Sequence, residues 1–109
     1  MTLHYLSHPF TGDEEKNRAV AEAIQRELQE KHPRVIYVNP LANFKALAGM
    51  PYGKILDYCL ALLMRCDSVT MAWNYRASTG CVIELTCARH NGIPVFFYDA
   101  QKHEYVEEI

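Results

Sequence analysis

Residues 67–99, DSVTMAWNYRASTGCVIELTCARHNGIPVFFYD, carry the reading that decides the fold. The two ends, DSVTMAW and IPVFFYD, are short apolar runs rich in β-branched and aromatic residues, the composition of buried strands. The middle, TGCVIELTCARH, reads as a helix that opens behind Ser78 and closes at Asn91-Gly92, a helix-ending signal. Strand, helix and strand in that order make two parallel strands joined by a helical crossover. Glu84 stands apart within the helix. Its neighbours three and four residues away are Gly80, Cys81, Cys87 and Ala88, so it sits on a small, apolar face with no Lys or Arg to pair with.

The chain upstream repeats the alternation. LHYLS, residues 3–7, is a β-prone run that stops at Ser7-His8-Pro9, because proline cannot continue a central strand. Residues 13–31, DEEKNRAVAEAIQRELQEK, place Ala19, Val20, Ala23, Ile24 and Leu28 at helical spacing, with acids in the first turn where the macrodipole favours them. RVIYV, residues 34–38, reads as a strand ended by Asn39-Pro40, and residues 39–50 as a loop. Residues 51–66, PYGKILDYCLALLMRC, form a helix with Ile55, Cys59, Leu62, Leu63 and Cys66 along one stripe. The pattern predicts a small α/β domain over residues 1–109: a doubly wound parallel sheet of about four to five strands, with helices on both faces and right-handed crossovers. The tail, residues 100–109, is an edge strand, a partner contact or a frayed end.

Half of the 109 residues are apolar and 22% are charged, an ordinary globular balance with one hydrophobic core. Eleven Lys and Arg against thirteen Asp and Glu give a net charge of −2 with no basic run, so a nucleic-acid partner is not expected. The start MTLHYLSHPF lacks the cationic and apolar parts of a secretion signal, and no segment approaches the about 20 apolar residues of a membrane span. A cytoplasmic location without membrane contact is the expectation. Cys59, Cys66, Cys81 and Cys87 show no C-x-x-C pair and no zinc-type His spacing, so they read as small buried hydrophobes; no metal and no cofactor are expected.

Ligands of doubly wound sheets bind at the carboxyl ends of the strands, which here are the loops at residues 7–12, 39–40 and 73–80. If Ser78 caps the last helix, its hydroxyl and the first-turn N–H groups either make an anion site or simply close the helix. Glu84 lies too deep for a capping box, whose acid belongs at the position of Cys81. Burying an unpaired carboxylate costs several kcal/mol, so Glu84 either points into a cleft or finds a hydrogen-bond partner across the strands. His8 is an acid, a phosphate donor or merely solvated. Trp73 either stacks on a base or packs, and Tyr75 and Arg76 either close over a ligand or stay in water.

Three stretches, YLSHPFTGDEEKNR from Tyr5, VIYVNP from Val35, and the run from Cys66 to Tyr98, resemble the nucleoside 2-deoxyribosyltransferase-like fold, Rossmann- or flavodoxin-like in outline. The likeness is to its small phage and bacterial branch, the DUF4406 family and its relatives, and spans about residues 3–99. A Y-x-x-x-P loop after the first strand matches Tyr5 and Pro9, and an S/D-x-G-x-x-x-E segment matches Ser78, Gly80 and Glu84. The resemblance implies that Glu84 is the nucleophile on the anomeric carbon of a deoxyribosyl group and that Tyr5 orients it. Ser78, Gly80, His8, Pro9, Asn39 and Trp73 are then the substrate-binding set. Relatives with Asp at the Ser78 position hold a 5′-hydroxyl, whereas Ser implies a 5′-phosphate. A homodimer or larger homo-oligomer, in which a neighbour completes the pocket, is also implied.

Such chemistry is that of a retaining glycosidase, one carboxylate forming a sugar ester while another acid protonates the leaving base. In the family that this chain resembles, the second carboxylate usually lies eight residues before the Asp that begins the third strand. Eight before Asp67 this chain has Cys59, and Asp57 faces the other side of the helix. A thiol replaces a carboxylic acid poorly, so the proton must come from His8 or water. The expected activity is an N-glycosidase or deoxyribosyltransferase acting on a 2′-deoxynucleoside or its 5′-monophosphate. The alternative is a nucleotide-binding or sensing module that keeps the pocket without turnover.

Overall fold

The computed structural model describes residues 1–102 and 104–107, with side chains through residue 102. β1 (Thr2–Ser7) sends alternate side chains to opposite faces, so that Tyr5 and Leu6, both fully buried, enter different cores. Gly12, at φ 113, turns the chain out of the following loop. Asp13 then caps α1 (Glu14–Lys31) by accepting the Lys16 N–H, and the helix buries Ala21, Ile24 and Leu28 against the sheet. β2 (Val35–Val38), α2 (Pro40–Asn43), α3 (Tyr52–Leu63), β3 (Ser68–Met71), α4 (Thr79–His90), β4 (Val95–Asp99) and β5 (Glu104–Glu107) complete the order.

The strands lie in the order β2-β1-β3-β4-β5. The first four are parallel, with Tyr5 opposite Val38 and Ser7 opposite Met71, and β5 runs antiparallel to β4 along the edge. One face of the sheet packs Leu6, Tyr37 and Tyr98 under Ile24 and Leu28 of α1. The other packs Tyr5, Val69, Met71 and Val95 under Leu63 of α3 and Leu85 and Ala88 of α4. The chain therefore leaves β1 for one face and β3 for the other, and these two central strands are neighbours. Their carboxyl ends open the crevice where doubly wound sheets bind ligands.

Two expectations need correction. Residues 39–50 are not plain loop: Asn39 caps α2 by accepting the Leu41 N–H, Pro40 occupies its first turn, and a 3₁₀ turn follows at Lys45–Leu47. β3 ends at Met71, so Trp73 lies beyond the sheet. Of the options open for the tail, residues 104–107 take the edge strand, antiparallel to β4 beside the four parallel strands. No helix among the described residues is long and apolar enough to cross a membrane.

Candidate functional site

Tyr5 and Ser7, two residues apart on β1, project from the same face toward α4. The Tyr5 hydroxyl donates to Glu84 Oε2, and Ser7 Oγ donates to Oε1 at 2.9 Å. Glu84 is only 6% exposed, and the helical face predicted to meet the sheet does meet it. The two options that the sequence leaves open for this carboxylate are realised together: it has partners across the strands and it also lines a small cavity of about 50 Å³. Burial pushes its pKa up to about 7, against the pull of the Tyr5 and Ser7 hydroxyls. Burial, and then the adjacent Glu84 charge, hold the Tyr5 phenol well above its usual range, so Tyr5 stays a donor.

The cavity sits at the carboxyl ends of β1, β2 and β3. His8 and Phe10 enter from the loop after β1, Pro40 and Phe44 from the segment after β2, Tyr52, Ile55 and Cys59 from α3, and Ser78 and Gly80 from the start of α4. An open groove continues past Pro9, Gly12 and Thr79. Arg18, reaching in from α1, is the sole Lys or Arg lining either space. Its guanidinium lies 5.0 Å from the centre of the Phe10 ring, and its Nε is buried without a partner. Asn17 donates to the Phe10 carbonyl at 2.9 Å and so ties this loop to α1.

Ser78 is the N-cap of α4, its hydroxyl accepting the Cys81 N–H at 3.2 Å. A Cβ at Gly80 would meet the Tyr52 hydroxyl, the far end of an exposed side chain that the Gly80 backbone hydrogen-bonds, so a larger residue there displaces Tyr52. Cys59 lies beside Tyr5, and its thiol is pushed up to about 11 by burial and by the Glu84 charge. Among the lining residues of the cavity Glu84 is the only carboxylate. His8 is 4% exposed, its Nδ1 lies 2.8 Å from the Pro9 carbonyl, its Nε2 is buried without a partner, and burial lowers its pKa.

The structure thus brings Glu84, Tyr5, Ser78, Gly80 and His8 together. Pro9 borders the groove and not the cavity. Asn39 is spent on structure, accepting from Leu41 and donating to Gln25 at 3.1 Å. Trp73 is 61% exposed and lines neither space. Sequence reasoning alone misses Ser7, Arg18 and Tyr52. Ser7 has a signal, its spacing of two from Tyr5 on a strand; Arg18 and Tyr52 reach the site through tertiary packing that no local pattern records. Among the described residues no group of three or more His, Cys, Asp or Glu is placed to hold a metal ion.

A sheet in this order, open at the ends of β1 and β3, is the flavodoxin-like doubly wound arrangement. The chain superimposes on a 2-deoxyribosyltransferase from the psychrotolerant bacterium Bacillus psychrosaccharolyticus with a TM-score of 0.65 at 15% identity, covering 98% of this chain and 99% of that one. It matches a 2-desoxiribosyltransferase from Leishmania mexicana with a TM-score of 0.64 at 17% identity, covering 91% of this chain and 66% of that protein's length. No curated protein matches the sequence. The chain belongs to the DUF4406 family, a domain of unknown function whose family model matches residues 2–97.

Proposed function

We propose that this protein binds a 2′-deoxynucleoside 5′-monophosphate and breaks or exchanges its N-glycosidic bond through Glu84. The observation that carries the reading is the Glu84 carboxylate itself: buried, held by Tyr5 and Ser7, and set in the wall of a small cavity of about 50 Å³ that shares Phe10, Arg18, Tyr52 and Ser78 with an open groove of about 890 Å³. A purely structural protein has no use for such a group, whose burial is costly. In the reaction an ionised Glu84 oxygen attacks C1′ and the C1′–N bond breaks, the base leaving with the electron pair. Water or a second base then attacks C1′ and releases the carboxylate. Tyr5 and Ser7 keep their protons and hold the carboxylate in line.

The leaving base takes its proton from water. Cys59, with a thiol near 11, is a poor acid at neutral pH, and no second carboxylate among the described residues lines the cavity. That same observation favours the second reading, a binding module that has kept the pocket and lost turnover. A screen of nucleosides and their 5′-monophosphates, reading thermal shift and base release together, separates the two. Base release from any monophosphate supports the enzyme. Thermal shifts without release, with release gained on Cys59→Asp, support the module. A protein that neither shifts nor releases with any of them contradicts both.

The phosphate is assigned to the start of α4, with Arg18 lining the same two spaces as Ser78. The Tyr52 hydroxyl rests on the Gly80 backbone there, so a bound phosphate oxygen takes its place and Tyr52 swings outward. A charge-assisted hydrogen bond contributes about 1.5–3 kcal/mol, so a monophosphate is expected to bind at least about tenfold more tightly than its nucleoside. Ser78→Ala is expected to lower that preference and, through loss of the cap, to cost about 1 kcal/mol of stability. Equal affinities in calorimetry for nucleoside and monophosphate would refute the assignment.

We also propose a homodimer or larger assembly. Tyr58 and Met64 on and just after α3, and Val82 and Ile83 on α4, are exposed apolar residues on one side of the sheet. Light scattering at micromolar concentration is expected to give at least twice the chain mass; a monomer mass would exclude it.

A further inference from the structure

We infer that His8, a residue of the cavity lining, selects the ligand by acting as a fixed hydrogen-bond acceptor: its Nδ1–H is committed to the Pro9 carbonyl, and its buried, bare Nε2 awaits an N–H or O–H of the bound molecule. A carbonyl oxygen only accepts, so the ring nitrogen 2.8 Å from it must hold the proton. In a neutral imidazole the other nitrogen then carries a lone pair and no hydrogen. That nitrogen is buried and meets no partner, in a residue only 4% exposed that lines the same cavity as Glu84. Buried polar atoms are almost always satisfied, and an orphan at a cavity wall is a place for a ligand atom.

A doubly protonated ring is disfavoured there. The Glu84 oxygens are taken by Tyr5 and Ser7, the one Lys or Arg of the cavity is the like-charged Arg18, and burial lowers the pKa of His8. His8 is therefore neither the acid for the leaving base nor a donor to phosphate, the two active roles open to it from sequence. It discriminates instead. A site built to accept a hydrogen bond rejects an analogue lacking the donor, because the acceptor is then left buried and unpaired. This inference rests on the nucleotide reading above. Two groups of a deoxynucleoside monophosphate supply the required donor, an exocyclic amine of the base and the 3′-hydroxyl of the sugar.

Calorimetric titration with pairs that differ by one donor tests it. dAMP against its 6-deamino analogue, and dCMP against its 4-deamino analogue, delete the base amine; dAMP against 2′,3′-dideoxyadenosine monophosphate deletes the sugar hydroxyl. One of these deletions is expected to weaken binding to the wild-type protein about tenfold or more, and the same deletion to weaken binding to His8→Leu by less than about twofold. In ¹⁵N NMR the free protein is expected to show protonated Nδ1 and bare Nε2, with the Nε2 signal shifting when the donor-bearing ligand binds. A proton on Nε2 in the free protein overturns the inference by itself, and so does a deletion penalty equal in wild type and variant. Nucleotide binding that leaves the Nε2 signal unmoved also overturns it, with the nucleotide reading intact. No binding of any nucleotide removes the nucleotide reading, and this inference with it. If His8→Leu does not fold, the wild-type ring signals with and without ligand decide.

Discussion

Glu84→Gln is expected to lower base release by about three orders of magnitude or more while leaving monophosphate affinity within a few-fold. Glutamine keeps the volume of the side chain and one carbonyl oxygen to accept from Tyr5 or Ser7, so the cavity wall stays in place. It lacks the nucleophilic oxygen, and an amide cannot form and release a sugar ester. Glu84→Ala is the harsher change, since it leaves the buried Tyr5 and Ser7 hydroxyls without their partner and is expected to cost stability as well as activity. Burst and steady-state release of base from a monophosphate, measured beside calorimetric affinity, reads both halves. Undiminished turnover in Glu84→Gln is incompatible with the proposed role.

The second large effect is on pH dependence. With its pKa raised to about 7, Glu84 is protonated in the folded protein over a range where the unfolded chain has already released the proton. The folded state then holds more protons between about pH 4.5 and 7, so the contribution of Glu84 to stability falls as pH rises through that window. At about 1.4 kcal/mol per unit the full loss approaches about 3 kcal/mol. His4 and His8, both lowered by burial, act in the opposite sense, their stability contribution growing as pH rises. The whole-protein curve therefore mixes the two. The difference between wild type and Glu84→Gln isolates the carboxylate: the variant is expected to gain stability relative to wild type from pH 5 to pH 8 in denaturant unfolding. A constant difference would show that Glu84 titrates normally. The same group sets the rate, since only the ionised oxygen attacks C1′; base release is expected to climb to about pH 7 and level off above it.

The architecture is legible in the sequence because strand and helix alternate with little noise. Each helix has an apolar stripe, the strands are β-branched and aromatic, and Pro9, Asn39-Pro40 and Asn91-Gly92 mark ends. The Asn39-Pro40 pair reads as a strand terminator, yet it also has the form of a cap followed by a first-turn proline, which is what it does in α2. The direction of β5 is not legible, since a short tail can add to an edge either way. Glu84 stands out because i±3 and i±4 arithmetic fixes its helical neighbours without any knowledge of the fold. Ser78 is legible as a cap for the same local reason. Arg18, Tyr52 and the free nitrogen of His8 depend on how separate elements meet at the strand ends, which local periodicity does not encode. For Trp73 the sequence leaves stacking and packing open; β3 stops at Met71 and leaves the ring exposed, so it does not pack into the sheet.

Glu84 acts, in the proposed reaction, by making a covalent bond to the sugar, and that bond can be sought directly. Wild type mixed with a deoxynucleoside monophosphate, quenched within the first turnover and mapped by peptide mass spectrometry, is expected to carry a 2-deoxyribosyl 5-phosphate on the peptide containing Glu84, and Glu84→Gln to carry none. Base release by the wild type with no adduct at any quench time, together with equal release by Glu84→Gln, would contradict it.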